Sequence, residues 1–437
     1  MHLRRVHIRN VRSIAELTWE LPPEVSGAGW HVILGNNGAG KSSFLRAIAL
    51  VLVGSTEAAG LRQPWDDWLR TGTDEATIEL AISLPSDNGG AGSALRSGSG
   101  SPVTMILRRN PKTLAAIVEI IDSRIRNDVW GPGPGGWFSA SYGPFRRFTG
   151  GDQELEKLYI SQPRLARHLS VFGEAVALTE ALSWLQSLKF KQLEDSLKQA
   201  DNNHEGDLLT SIIAFVNQPG FLPHEVRLHD VTSKGVDFVD ANGFKVPVQQ
   251  LSDGYRSVLS MTFELVRQMA LAYGTAGLFS IDRTKIIPAG VVIVDEIDAH
   301  LHPSWQRTIG VWFRKHFPNV QFIVSTHSPL ICQAAEVGTV FRLPRPGADP
   351  SEDRGEMVTG LALKRLLYGN VLDAYGTGVF GDGVTRSDSG QEKLERLAEL
   401  NTLELVGALS EEQKQAQAEL REILPTESSV TSHDPAT

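Results

Sequence analysis

Two short stretches of this chain carry residue types that could handle a polyphosphate. The first is Gly35-Asn36-Asn37-Gly38-Ala39-Gly40-Lys41-Ser42, followed by Ser43. Its glycines would let the backbone approach phosphates closely, and its N–H groups, with the start of the next helix, would supply a positive field. Lys41 would reach the β and γ phosphates, and the Ser42 hydroxyl would take one Mg²⁺ position. A glycine-rich turn holding no phosphate can show the same letters, so the context decides. The second stretch is Val291-Val292-Ile293-Val294-Asp295-Glu296, an apolar run that delivers two carboxylates at its end. Asp295 would hold Mg²⁺ through water, and Glu296 would polarise an attacking water as general base.

The elements needed to position these residues are legible around them. Leu3, Val6, Ile8 and Val11 alternate with polar residues, as do Leu17, Trp19 and Leu21, which predicts two antiparallel strands. Trp30 to Leu34 reads as a buried strand, and Lys41 to Leu52 has helical apolar spacing, so the glycine loop joins a strand to a helix. Further strands are expected at Thr77–Leu84, Val103–Arg108 and Ala116–Ile121, interrupted by the Gly/Ser-rich SDNGGAGSALRSGSGSP. Helical spacing runs from about Asp152 to Val216, and strands return at Glu225–Val231, Val236–Val239 and Lys245–Val248. A helix from about Gly254 to Tyr273 precedes the runs VVIVDE and QFIVST, between which Pro303 opens another helix. Strands alternating with helices predict an α/β fold with a mostly parallel core sheet, an antiparallel β subdomain, an inserted helical lobe and a helical C-terminal extension. The expected divisions are 1–150, 151–222, 223–345, 346–424 and a disordered tail at 425–437.

Composition narrows the class. The 437 residues are 41% apolar, enough for a large core, and the one cysteine, Cys332, fits a reducing, cytoplasmic setting. The N-terminus lacks the apolar run of a secretory signal, and no apolar stretch reaches the roughly 20 residues of a membrane span. A net charge of −9 argues against a general polyanion-binding surface. Arginines cluster locally at 4, 5, 9 and 12, at 108 and 109, at 124 and 126, at 146 and 147, and at 164 and 167. They read first as solvated faces, with DNA contact a local alternative. Trp137, Phe138, Tyr142, Phe145 and Phe148 could stack bases but more often belong to a core. Cys332 reads as a small core residue rather than a nucleophile.

Leu251-Ser252-Asp253-Gly254-Tyr255-Arg256-Ser257 opens a helix with Ser252 as a plausible cap, and Ser325-Thr326-His327-Ser328-Pro329 follows the last apolar run. The order of glycine loop, this motif, apolar-Asp-Glu and STHSP resembles the ABC ATPases. IRNVRSI, GNNGAGKSS, LSDGYRS and DEIDAHLHPSWQ are similar to the soluble heads of the SMC, RecF and OLD kind, over roughly residues 1–55 and 245–345. The resemblance implies ATP and Mg²⁺ bound between two copies arranged head to tail. Ser252 and Gly254 would contact the γ-phosphate of the opposite subunit, Asp298 would link the two sites, and His327 would sense the γ-phosphate. Asn10, Arg12 and Ser13 match an opening whose arginine reaches the nucleotide. The glutamine that relays Mg²⁺ occupancy is either Gln63 or Gln162. His300 and His302 beside Asp298 read as part of that linking loop rather than as metal ligands.

The stretch between the glycine loop and Ser252 is broken by GPGPGG, NQPG and FLPH, so it cannot form the long coiled coil of a DNA tether. Asp382 and Asp388 do not make a nuclease metal cluster, and no nuclease is expected within this chain. FSASYGPFRRFTGG and GVFGDGVTRSDSG look like the ATPase of Septu-type anti-phage systems, including those attached to retrons. That likeness implies an HNH nuclease as partner and an ATPase whose dimers can assemble further; the C-terminal helices are the expected docking surface. A RecF- or SMC-like repair ATPase acting on DNA, or an OLD-like nuclease component, is the alternative.

Overall fold

The computed structural model describes residues 2–83, 101–110, 116–122, 137–148, 161–173, 180–198, 204–349, 351–377, 379–380 and 387–424. Arg124, Arg126, the GPGPGG break, most of the Gly/Ser-rich segment, Asp382 and the tail lie outside them.

The strands are β1 (His2–Val11), β2 (Ile14–Glu20), β3 (Gly29–Leu34), β4 (Glu75–Ser83), β5 (Ser101–Arg109), β6 (Ala116–Asp122), β7 (Ser139–Tyr142), β8 (Arg227–Thr232), β9 (Gly235–Val239), β10 (Lys245–Pro247), β11 (Gly290–Val294), β12 (Val320–Thr326), β13 (Gly338–Arg342) and β14 (Glu356–Met357). The longer described helices are α1 (Lys41–Val53), α2 (Glu180–Lys198), α3 (His204–Val216), α4 (Asp253–Tyr273), α5 (Pro303–His316), α6 (Gly360–Tyr368), α7 (Asp388–Leu405) and α8 (Glu411–Ile423). The core sheet runs β14-β13-β3-β12-β11-β7 and is parallel apart from β14. An antiparallel sheet runs β2-β1-β4-β5-β6, and a small one runs β10-β9-β8.

The continuous apolar runs of β3, β11 and β12 fit a sheet covered on both faces, and each of these strands is buried along its whole length. One covering layer is α1. From Phe44 to Val53 every residue except Arg46 is buried, because the helix lies against both β1 and β4 of the antiparallel sheet and β11 and β12 of the core sheet. A surface helix would keep a polar face; this one has lost it. Gln321, fully buried on β12, joins the two sheets by accepting from the Leu3 N–H at 2.7 Å and donating to the Leu3 carbonyl at 2.9 Å. On the other face, α5 packs its aromatic residues onto Trp30 and Phe322, with Phe215 and Phe221 completing the cluster. A Cβ on Gly310 would lie 2.6 Å from the Ala334 Cβ and 2.9 Å from the Trp30 ring, so glycine permits this close approach.

The chain falls into two compact units, Met1–Ala374 and Tyr375–Thr437. In the second, Leu397 and Leu400 of α7 are buried, α8 opens with a capping box made by Ser410 and Gln413, and Arg421 and Gln417 bind Asn401 and Glu404. Among the described residues no single helix is long and apolar enough to cross a membrane.

Two strand regions lie beyond the sequence reading. β7 is only Ser-Ala-Ser-Tyr, without a β-branched residue, yet it is buried throughout beside β11. β13 and β14 lie in a stretch for which no strand is expected.

Candidate functional site

β3, β12 and β11 lie side by side in parallel, with Leu34 opposite Thr326 and Val294 opposite Val324. The residues after each strand therefore emerge along one edge of the sheet, where open α/β sheets hold their ligands. After β3 comes the loop Gly35–Gly40, after β12 comes His327, and after β11 come Asp295 and Glu296.

In the glycine loop, Gly38 and Gly40 take φ of 81° and 92°, left-handed values that favour glycine. α1 starts at Lys41 with neither a side-chain cap nor an acidic residue in its first turn, so its positive end faces the loop. The Lys41 ammonium donates to the carbonyls of Gly35 at 2.8 Å and Asn36 at 3.2 Å, which holds it over the loop and leaves one of its three protons for another acceptor. Burial lowers its pKa, while Asp295, Glu296 and Asp298 act in the opposite direction. Asn36, Asn37 and Gly38 are exposed; Ala39, Ser42 and Ser43 are half-buried. A cleft of about 340 Å³ lies beside the loop, walled by Ser13, Gly38, Arg70, Arg345 and Asp353 among others.

Asp295 is fully buried. Its Oδ1 accepts from the Ser325 hydroxyl at 2.5 Å, while its Oδ2 is buried without a hydrogen-bond partner. An unpartnered carboxylate oxygen in such a place is costly unless something cationic or protic meets it. The same Ser325 oxygen accepts from the Glu296 N–H at 2.8 Å. Glu296 itself has φ of 46°, a left-handed conformation that a glutamate adopts only where its surroundings enforce it. Asp298 accepts from Thr326 Oγ1 at 2.5 Å. His327 is half-buried, and burial, reinforced by the Lys41 charge, holds its imidazole below the ordinary range. The imidazole at this edge is neutral near pH 7.

The signature segment stands elsewhere. Ser252 occupies the N-cap position of α4 but makes no capping bond, contrary to its expected use; it is exposed, and the start of α4 is left open. Gly254 is buried, and a Cβ there would lie 2.6 Å from the His300 carbonyl, so this glycine lets α4 rest on the loop that carries Asp298. The cleft at this place is lined by Pro144, Phe145, Arg146, Arg147, Asp253, Arg256 and His300, and it shares no residue with the cleft beside the glycine loop.

Other expectations resolve locally. Arg12, with φ of 50°, lies with its guanidinium 4.7 Å from the centre of the Trp68 ring. Gln63 donates weakly to Leu61 and Phe172 carbonyls, and Gln162 precedes the short helix Pro163–Ala166; neither belongs to β7, which ends beside Asp295. His302 caps α5 by accepting from the Ser304 N–H, and His300 is exposed with φ of 65°. Trp137, Phe138, Tyr142 and Phe148 are core, whereas Phe145 is 46% exposed. Cys332 is buried, and desolvation pushes its thiol far above the ordinary range. Several arginines are committed internally: Arg4 to three carbonyls, Arg108 to Glu75, Arg109 to Asp66 and Asp74, and Arg164 to Glu57.

Two family descriptions match the chain: "AAA domain, putative AbiEii toxin, Type IV TA system" over residues 138–333, and "AAA domain" over residues 5–129. The chain is 25% identical over 332 residues to Septu protein PtuA of Bacillus mycoides (strain KBAB4). It is 38% identical over 105 residues to "Retron Ec83 probable ATPase" of Escherichia coli. Over these stretches the chain is similar to AAA-type ATPase domains. The alignments cover 75% and 24% of this chain, and only 38% and 18% of those two relatives. A solved structure described as "Crystal structure of the SmcHead bound to the C-winged helix domain of ScpA" aligns with 83% of this chain and 99% of the solved one, at 14% identity and a TM-score of 0.46.

Three further residues of the candidate site were named in the sequence without a role in it. Ser325 and Thr326 bind Asp295 and Asp298, and the signal for them was two hydroxyl residues ending an apolar run. Arg146, read from the sequence with Arg147 as part of a solvated face, is instead buried against the backbone of Asp295 and Glu296.

Proposed function

We propose that this chain binds and hydrolyses ATP in composite sites between two head-to-tail copies, and that the cycle controls a separate nuclease in anti-phage defence. The observation that carries the first half is the meeting of the glycine loop, Asp295, Glu296 and His327 at one sheet edge, with the signature segment lining a different cleft of the same chain. A second copy would bring its exposed Ser252 and the open start of α4 to the γ-phosphate.

In this reading Gly35 to Ser43 enclose the phosphates and Lys41 offers its remaining proton to them. Ser42 and Asp295 would hold Mg²⁺, Asp295 by way of water; the unpartnered Oδ2 fits that role. The ion, when bound, offsets phosphate charge. Glu296 accepts a proton from water as its oxygen attacks the γ-phosphorus and the bond to the β–γ bridging oxygen breaks. Neutral His327 donates to the γ-phosphate, Arg12 approaches the nucleotide from the β1–β2 turn, and Asp298 lies on the path between the two sites.

The second half rests on the relatives named for Septu and retron systems. The effector in this reading is an HNH-type nuclease acting in the cytoplasm, and the C-terminal helices form its docking surface. Pull-down of the tagged chain from its host, with a DNA-cleavage assay on the eluate with and without ATP, tests this. Copurification of a nucleotide-sensitive nuclease is expected; a chain that elutes alone as a DNA-stimulated ATPase would move the assignment to DNA repair.

A further inference from the structure

Arg146 is 4% exposed, and none of its acceptors is a carboxylate. Its Nη1 donates to the Asp295 carbonyl at 2.8 Å and to the Gly143 carbonyl at 2.9 Å, its Nη2 to the Glu296 carbonyl at 3.1 Å, and its Nε to the Ser257 hydroxyl at 2.9 Å. Burial pulls the guanidinium down to about 10, against the field of Asp295, Asp298 and Glu296, so it is a cation at neutral pH. A buried cation is expensive, and one held only by neutral oxygens needs all of them. Two of those oxygens are the consecutive carbonyls on either side of the Glu296 φ/ψ pair, which stands at a left-handed φ of 46°. The third is on the loop after β7, and the fourth is on α4, one turn beyond the exposed Ser252.

We infer that Arg146 is a positioning residue that fixes Glu296 in its strained conformation and, through Ser257, ties that conformation to the position of the signature helix. The inference rests on the composite-site reading above. In that arrangement each chain uses Glu296 in its own site and lends the start of α4 to the other. A shift of α4 on meeting the partner's nucleotide therefore reaches the general base of its own site through one guanidinium. Arg146 and Ser257 touch no nucleotide in this account; they act through Glu296.

Ser257→Ala removes the α4 end of this connection and leaves the three carbonyl bonds. The experiment measures fluorescent-nucleotide binding, ATP-dependent dimerisation and steady-state hydrolysis for the parent, Ser257→Ala and Ser257→Thr in the full chain. The expected result is parental nucleotide affinity within about twofold, retained dimerisation, a kcat lowered at least tenfold in Ser257→Ala, and recovery of most of that loss in Ser257→Thr, which restores the hydroxyl. Arg146→Lys, which keeps the charge without the fork, should lower kcat further with the same small effect on affinity. Parental kcat in Ser257→Ala, or a fall in kcat matched by an equal loss of nucleotide affinity, would overturn the inference while leaving the composite site standing. A parent chain that neither dimerises nor hydrolyses with ATP would remove the composite site and the inference with it.

Discussion

At the residue scale, the site is a set of backbone and hydroxyl contacts that aim three charged groups. Ser325 is the smallest of these and serves two masters: it donates to Asp295 Oδ1 and receives the Glu296 N–H. Ser325→Ala would leave one oxygen of a fully buried carboxylate and one N–H without partners, at about 1–3 kcal/mol each. Part of that falls on the geometry of Glu296, so kcat should drop by roughly ten- to a hundredfold, with nucleotide binding little changed; a steady-state assay beside a binding titration checks it. Lys41→Ala acts differently. It removes the ammonium from the loop and should abolish nucleotide binding, leaving no saturable signal in the same titration. Lys41, Asp295 and Glu296 were legible in the sequence because each sits at a fixed step from an apolar run. Arg146 was not, because three of its four acceptors lie 111 to 150 positions away and nothing local announces them.

At the element scale, α1 is the part whose packing the site depends on. Its positive end must meet the loop, and its position is set by two sheets rather than by helix propensity. Ile48 is fully buried between them, and Ile48→Ala should cost about 2–5 kcal/mol through the lost burial and the cavity left behind. Chemical denaturation would read this as a lower midpoint with an unchanged slope. β3, β11 and β12 could be read from the sequence as unbroken apolar runs, since a strand buried on both faces has little choice of residue. β7 could not: Ser139-Ala-Ser-Tyr is short and small, and only its pairing with β11 makes it a strand. The open start of α4 was half legible. Ser252 stands at the cap position, as its type suggests, but the capping bond is not made.

At the scale of the whole molecule, the buried histidines set how the fold responds to acid. His31, between the Thr339 hydroxyl and the Gly27 carbonyl, is held by burial at about 4, and His168, between the Ser139 and Ser141 hydroxyls, at about 3. Both values lie below the unfolded value near 6.5. Between that value and the folded ones the unfolded chain binds more protons, so stability is lost as pH falls from about 6.5 toward 4, by roughly 3 kcal/mol for each group over the full window. Denaturation midpoints measured across that range should decline steeply, and His168→Asn should flatten the decline; a stability independent of pH over the window would contradict the assignment.

In the proposed cycle two copies close around ATP and Glu296 opens them again by hydrolysis. Sedimentation velocity of Glu296→Gln with Mg²⁺ and ATP tests it most directly. The expected result is a stable dimer with ATP, a monomer without it or with Lys41→Ala in the same chain, and no phosphate release. A Glu296→Gln chain that stays monomeric at saturating ATP, or that hydrolyses it at the parental rate, would contradict the account.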